Sequence, residues 1–142
     1  MDQMKNCYRS HFRHIYYFRR MQQSNHCSDF QHTLASAIKV TGVGIHSGQN
    51  VEMTLKPAEP NTGIIFKRVD LPGEPTVKAD VDNVVDTTRS TTIEANGARV
   101  GTIEHLMAAL VGNKVDNVLI EINSGEVPIL DGSAEPDRKS VV

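Results

Sequence analysis

The chain is organised around the sequence Gly101-Thr102-Ile103-Glu104-His105-Leu106-Met107-Ala108-Ala109-Leu110-Val111-Gly112. From Ile103 onward the large apolar residues recur at i, i+3, i+4, i+7 and i+8, a spacing that places them on one face of a helix. Thr is a favoured N-cap and Gly a frequent helix stop, so we predict a helix that begins after Thr102 and ends at Gly112. Its single apolar face predicts that the helix packs on a core.

Two adjacent residues of this helix, Glu104 and His105, do not belong to the apolar face. Both fall in the first turn, where the helix dipole and the unpaired N–H groups stabilise a carboxylate and disfavour a protonated imidazole. An ionised Glu beside a neutral His is what a metal site with a general base requires. In the alternative interpretation, Glu104 only complements the dipole and His105 is solvated. The local pattern leaves both interpretations open.

The composition is that of an ordinary soluble domain, with 39% hydrophobic and 23% charged residues among 142. No apolar run is long enough to cross a membrane and no secretory signal follows the N-terminus, so we expect a cytoplasmic protein without a membrane span. Cys7 and Cys27 are the only cysteines and do not form a C-x-x-C pair. They favour neither a disulfide framework nor a zinc finger.

Residues 1–31 differ from the rest of the chain in charge. They carry a net charge of +3, whereas residues 32–142 carry a net charge of −5. The segment mixes Arg, His and aromatic residues without a helical or strand period. We predict a disordered leader that lies outside the globular domain and binds no nucleic acid. A nucleic-acid or membrane-surface segment and an organellar transit peptide are the alternatives.

Short strands separated by Gly, Asn and Pro are predicted from residue 33 onward. Residues 51–55 alternate apolar and polar, which is typical of a half-buried strand. Asn96-Gly97 predicts a two-residue hairpin, and residues 115–122 are apolar on both faces at their centre, which indicates an interior strand. Residues 35–41, 64–69 and 87–94 also favour strands. The predicted fold class is α+β, a small antiparallel-rich sheet with one helix.

Between the first two strands lies a loop, residues 42–48, with three glycines in seven residues. Such a loop lets the backbone approach a ligand closely. It is not a dinucleotide fingerprint, because no helical pattern follows it. His46 within the loop is locally best explained as a turn residue satisfied by backbone groups.

Three stretches together resemble one protein family. They are residues 41–48 (TGVGIHSG), residues 102–110 (TIEHLMAAL), and residues 116–123 (DNVLIEIN) leading to residues 127–134 (VPILDGSA). They are similar to the first domain of the zinc-dependent UDP-3-O-acyl-N-acetylglucosamine deacetylases of lipid A biosynthesis. The resemblance covers residues 32–136. It implies the first half of a two-domain fold, with the active site in the cleft between the domains.

Carried over residue by residue, the resemblance implies that Glu104 is the general base and His105 a zinc ligand. It makes Ile45, His46 and Thr88 candidate substrate neighbours. The other zinc ligands, a His and an Asp in an H-x-x-x-D pattern, are expected in a second domain that has no counterpart after residue 142. Residues 137–142 depart from the family pattern, where the first domain's second helix is expected to begin.

The sequence therefore predicts an incomplete copy of a zinc amidohydrolase that is inactive alone, with UDP-3-O-acyl-N-acetylglucosamine and the missing second domain as its partners. The alternative is a non-catalytic module of the same fold that binds the nucleotide sugar or a partner.

Overall fold

A computed structural model describes residues 30–129 of the chain. These residues form eight strands and one α-helix, together with a single 3-10 turn, Val81–Asn83. In chain order the elements are β1 (Ile38–Val43), β2 (Asn50–Pro57), β3 (Ile64–Arg68), β4 (Thr76–Lys78), β5 (Val84–Asp86), β6 (Thr92–Ala95), β7 (Ala98–Val100), α1 (Glu104–Gly112) and β8 (Val118–Ile122). The predicted leader, residues 1–31, lies almost entirely outside the described residues, and the predicted divergent tail, residues 137–142, lies wholly outside them.

The larger sheet has five strands in the order β1-β2-β8-β3-β4. Its neighbouring strands pair antiparallel except β3 and β8, which run parallel. β8 therefore lies in the interior of the sheet, which confirms the interior strand predicted from its two apolar faces. The α+β class with an antiparallel-rich sheet and one helix is confirmed for residues 30–129.

The core lies against one face of this sheet. Inward residues of β2 and β3 such as Met53, Leu55 and Phe66 are almost completely buried, as are Leu106 and Leu110 of α1. The opposite face carries cross-strand ion pairs, including Lys56 Nζ to Glu121 Oε2 at 2.8 Å. One apolar face and one charged face explain the alternating pattern along β2.

The smaller sheet has the order β5-β6-β7 and was not predicted as a separate unit. Its β6–β7 hairpin turns at Asn96 and Gly97, whose φ angles are 53° and 82°. Two consecutive positive φ angles are those of the two-residue turn that Asn-Gly favours, so the predicted hairpin is confirmed. The predicted strand over residues 87–94 is wrong in its first half, because β6 begins only at Thr92.

The predicted N-cap, Thr102, is wrong. α1 begins at Glu104, its N-cap is Ile103, and no side chain caps it. Thr102 has a φ of 57°, the left-handed conformation, whereas a capping Thr needs an extended backbone. At the other end, Gly112 is the last helical residue, as predicted. Two residues later Lys114 adopts a left-handed φ of 56°, the conformation that commonly follows the end of a helix.

Within residues 30–129 no helix has the length and apolar character needed to cross a membrane.

Candidate active site

The first turn of α1 presents Glu104 and His105, both half-buried. Glu104 accepts a hydrogen bond through Oε1 from the backbone N–H of Thr91, the residue just before β6. This contact joins the start of the helix to the smaller sheet. The helix N-terminus and the Thr91 N–H both present partial positive charge to the carboxyl group.

His105 is oriented by the chain beyond β8. Its Nε2 lies 3.0 Å from the carbonyl oxygen of Pro128. A carbonyl oxygen only accepts, so Nε2 is the donor in this contact. A histidine that donates one ring N–H to a backbone carbonyl has the orientation typical of a metal ligand.

The glycine-rich loop is held from its inner side by Glu126. Oε1 of this buried carboxylate accepts from the His46 N–H at 3.0 Å and from the Thr102 hydroxyl at 3.1 Å. Oε2 accepts from the Ser47 N–H at 2.9 Å. His46 lies in a turn, as predicted, but its backbone N–H donates to a side chain remote in sequence and not to a backbone group.

Burial by itself raises the pKa of the Glu126 carboxyl. The N–H groups of His46 and Ser47, with the hydroxyls of Ser47 and Thr102, outweigh burial and hold the pKa below its ordinary value of 4.5. Glu126 is therefore an anion at neutral pH.

In the same region the Thr88 N–H, 2.8 Å from Asp86 Oδ1, is the main cause of a lowered pKa at Asp86.

An open cavity of about 680 Å³ lies between the loop and the smaller sheet. Two of the predicted substrate neighbours, His46 and Thr88, line it together. Ile45 does not line it, and its side chain is 58% exposed. The other lining residues are Ser47, Gln49, Asp86, Arg89, Ser90, Thr92, Arg99, Gly101, Thr102, Ser124, Gly125 and Glu126.

Glu104 and His105 are not among the residues that line this cavity. The structure connects them to it through neighbours. Thr102, two residues before Glu104, lines the cavity, and so do Ser90 and Thr92, which flank the Thr91 that binds Glu104. The predicted residues thus form two adjoining groups, the Glu104–His105 pair and the His46–Thr88 cavity.

Sequence reasoning missed Glu126 as a residue of the site. The sequence signal is faint: one acidic residue between Gly125 and an apolar run, Val127-Pro128-Ile129. A carboxylate at that position gives no indication that it will be buried, because its partners in the loop, His46 and Ser47, are some eighty residues away in the chain.

His105 has the donor chemistry and the orientation that suit zinc. Within residues 30–129, however, no group of three or more His, Cys, Asp or Glu side chains is arranged to hold a metal ion. His105 therefore does not belong to a complete metal-binding cluster within the described part of the chain.

Comparison with known proteins identifies the family. The family model of the UDP-3-O-acyl N-acetylglycosamine deacetylases matches residues 31–139. The chain belongs to this family. Over 107 residues it is 52% identical to the UDP-3-O-acyl-N-acetylglucosamine deacetylase of Chromobacterium violaceum, and the alignment covers 75% of this chain and 35% of the relative.

Similar matches come from two Xanthomonas proteins. Proteins of the same name from Xanthomonas campestris pv. campestris strain B100 and Xanthomonas oryzae pv. oryzae strain PXO99A are 52% and 51% identical over 106 residues. These alignments also cover 75% of this chain and 35% of each relative. The chain thus spans about a third of the length of the curated relatives that it matches.

Proposed function

We propose that this chain supplies the general base and one zinc ligand of a deacetylase that removes the N-acetyl group from UDP-3-O-acyl-N-acetylglucosamine. The reaction belongs to lipid A biosynthesis in the cytoplasm. One observation carries the proposal: within the family match, Glu104 and His105 share the first turn of α1, and each side chain is fixed by a backbone group. In this proposal Glu104 is the base and His105 the ligand.

Amide hydrolysis needs a nucleophile stronger than water, and zinc, when bound, lowers the pKa of water and polarises the carbonyl. His105 would contribute an imidazole nitrogen to that ion, with the ring held by Pro128. Glu104 would take the proton from the attacking water and return it to the leaving nitrogen. The bond from the Thr91 N–H keeps the carboxylate oriented for this transfer.

Catalytic zinc sites typically use three protein ligands and a water. Because no group of three candidate ligands is found within residues 30–129, we propose that a second domain provides the ligands other than His105. The 142-residue chain alone should then bind zinc weakly and have no measurable turnover. Turnover by the purified chain would contradict this proposal.

The cavity beside α1 is our candidate for substrate contact. His46 and Thr88 lie on its wall, and Arg89 and Arg99 add positive charge there. We propose that His46 and Thr88 contact the substrate, and that Ile45, exposed on the same loop, meets it from outside the cavity.

A non-catalytic binding module is the second candidate. The observation that favours it is the separation described above: the cavity is lined by His46 and Thr88 but not by Glu104 or His105. A module that binds without hydrolysis would be stabilised by the nucleotide sugar in thermal unfolding and would leave the sugar intact.

The decisive test uses a chimera in which residues 31–139 of this chain replace the matching segment of the Chromobacterium violaceum relative. We expect the chimera to deacetylate UDP-3-O-acyl-N-acetylglucosamine. Glu104→Gln should lower kcat by a factor of about 10² or more, as is usual for loss of a general base. Thermal unfolding of both proteins would show that the substitution leaves the fold intact.

A matched control is Glu121→Gln, because Glu121 pairs with Lys56 on the outer face of the sheet, away from the cavity. The control should retain the chimera's activity. Equal activity of the Glu104→Gln and Glu121→Gln chimeras would refute the role of Glu104 as the general base. A folded chimera that binds the nucleotide sugar without hydrolysing it would favour the non-catalytic binding module.

A further inference from the structure

Glu126 is a carboxylate at a position where carboxylates are rarely found. It follows β8 and is only 6% exposed. A buried charge is costly unless hydrogen bonds replace the water that it loses. The bonds that Glu126 makes therefore indicate what the residue holds in place.

These bonds reach two separate parts of the chain. The backbone N–H groups of His46 and Ser47 donate to the carboxylate at 3.0 Å and 2.9 Å, so the glycine-rich loop is attached to Glu126. The Thr102 hydroxyl donates to it at 3.1 Å, so the residue two positions before Glu104 is attached as well. One side chain thus joins the cavity loop to the entrance of α1.

The loop has a glycine, Gly44, where the Glu126 carboxylate lies against it. A Cβ atom at Gly44 would lie 2.5 Å from Glu126 Oε2 and would also collide with the Ser47 hydroxyl. Only the absence of a side chain at residue 44 lets the carboxylate approach the loop backbone so closely.

The backbone around Glu126 also contacts the entrance of α1. The Gly101 N–H donates to the Gly125 carbonyl at 2.9 Å, and the Val127 N–H donates to the Gly101 carbonyl at 3.1 Å. Two residues after Glu126, the Pro128 carbonyl accepts from His105. The segment that carries Glu126 thus contacts both the residues before α1 and the imidazole in its first turn.

We infer that Glu126 is a positioning residue, whose carboxylate fixes the His46 loop relative to the Glu104–His105 pair of α1. The inference rests on the proposed function only in treating that pair as catalytic. The attachment itself is a property of the chain that exists without zinc or substrate.

The test follows backbone amide exchange and imidazole signals by NMR in the 142-residue chain. In Glu126→Ala, the His46 and Ser47 amides should exchange roughly tenfold to a hundredfold faster, because each loses a hydrogen bond to a charged acceptor. The ring signals of His105 should shift, because Thr102 and the segment that carries Pro128 lose the side-chain bond that joins them. Glu121→Gln, a carboxylate on the outer face, should change neither.

Thr102→Val tests the other end of the attachment and remains informative if Glu126→Ala does not fold. It removes the hydroxyl but leaves the carboxylate bonded to the loop, so the His105 signals should shift while the His46 and Ser47 amides keep their protection.

The inference is overturned if the loop amides of Glu126→Ala exchange as in the unmodified chain, or if the His105 signals are unchanged in both variants. Neither the amide exchange nor the His105 signals depend on turnover or zinc. The positioning role of Glu126 and the proposed deacetylase function can therefore fail independently of each other.

Discussion

Gly44→Ala is expected to destabilise the fold by displacing the Glu126 carboxylate. The new Cβ would force Oε2 from 2.5 Å to an ordinary contact of at least 3.4 Å. We expect a retreat of that size to lengthen the 2.9 Å bond from the Ser47 N–H beyond hydrogen-bond range. Loss of one hydrogen bond to a charged group costs about 1.5–3 kcal/mol, so we expect the free energy of unfolding to fall by that amount.

Urea unfolding of the 142-residue chain measures this change, and Gly112→Ala is the matched control. Gly112 is the last residue of α1, and a Cβ there meets nothing within 4 Å. Because Ala is a better helix former than Gly, the control should gain about 0.5–1 kcal/mol. The same substitution should thus have opposite signs at the two positions.

A double-mutant cycle tests the cause. In a Glu126→Ala background no carboxylate remains for the Cβ to displace, and the Ser47 hydroxyl is the flexible end of a side chain. Gly44→Ala should then cost less than about 1 kcal/mol, which corresponds to a coupling energy in the range seen for residues in contact. An equal cost in both backgrounds would refute this explanation.

Unfolding in urea also tests the core, the hairpin turn and the loss of stability at acid pH. Phe66→Ala should lower the free energy of unfolding by about 3–5 kcal/mol, measured in urea, because the side chain is fully buried; a loss below 1 kcal/mol would place Phe66 outside the core. Gly97→Ala should cost about 1–2 kcal/mol, because a φ of 82° is strained for residues with a Cβ although the space is open; an unchanged urea midpoint would contradict that turn. Because the pKa of Glu126 is lowered by folding, its contribution to stability is complete above its ordinary value of 4.5 and is lost as the pH falls through the lower folded value. The urea midpoint should therefore fall less steeply on acidification in Glu126→Gln than in the unmodified chain, and identical slopes would show that Glu126 does not titrate as stated.

Local pattern was enough to predict the elements that position the site. The apolar period of α1, the Asn96-Gly97 turn and the doubly apolar centre of β8 are each set by residues close in sequence. Glu104 and His105 were recognised as candidate site residues because they are polar and do not belong to the apolar face of α1. The local pattern left their catalytic role open, and the family resemblance made that role the favoured hypothesis.

The structural features that could not be predicted from the sequence depend on contacts between residues far apart in the chain. Thr102 is a plausible cap by type, but its hydroxyl is taken by Glu126, and its backbone is left-handed. The parallel pairing of β3 with β8 joins residues that are 54 positions apart in the chain, such as Ile64 and Val118. The bond between His105 and the Pro128 carbonyl likewise depends on how the chain returns after β8. No local period encodes such contacts.

The zinc content of the chimera tests the central claim most directly, because it asks whether His105 is a ligand. We expect about one equivalent of zinc per chain in the parent chimera and in His32→Ala, whose exposed imidazole lies beside Asp116. His105→Ala should retain roughly a tenth of that zinc or less after dialysis against a chelator, since loss of one of three protein ligands weakens the site severely. Full zinc retention in His105→Ala would contradict the assignment.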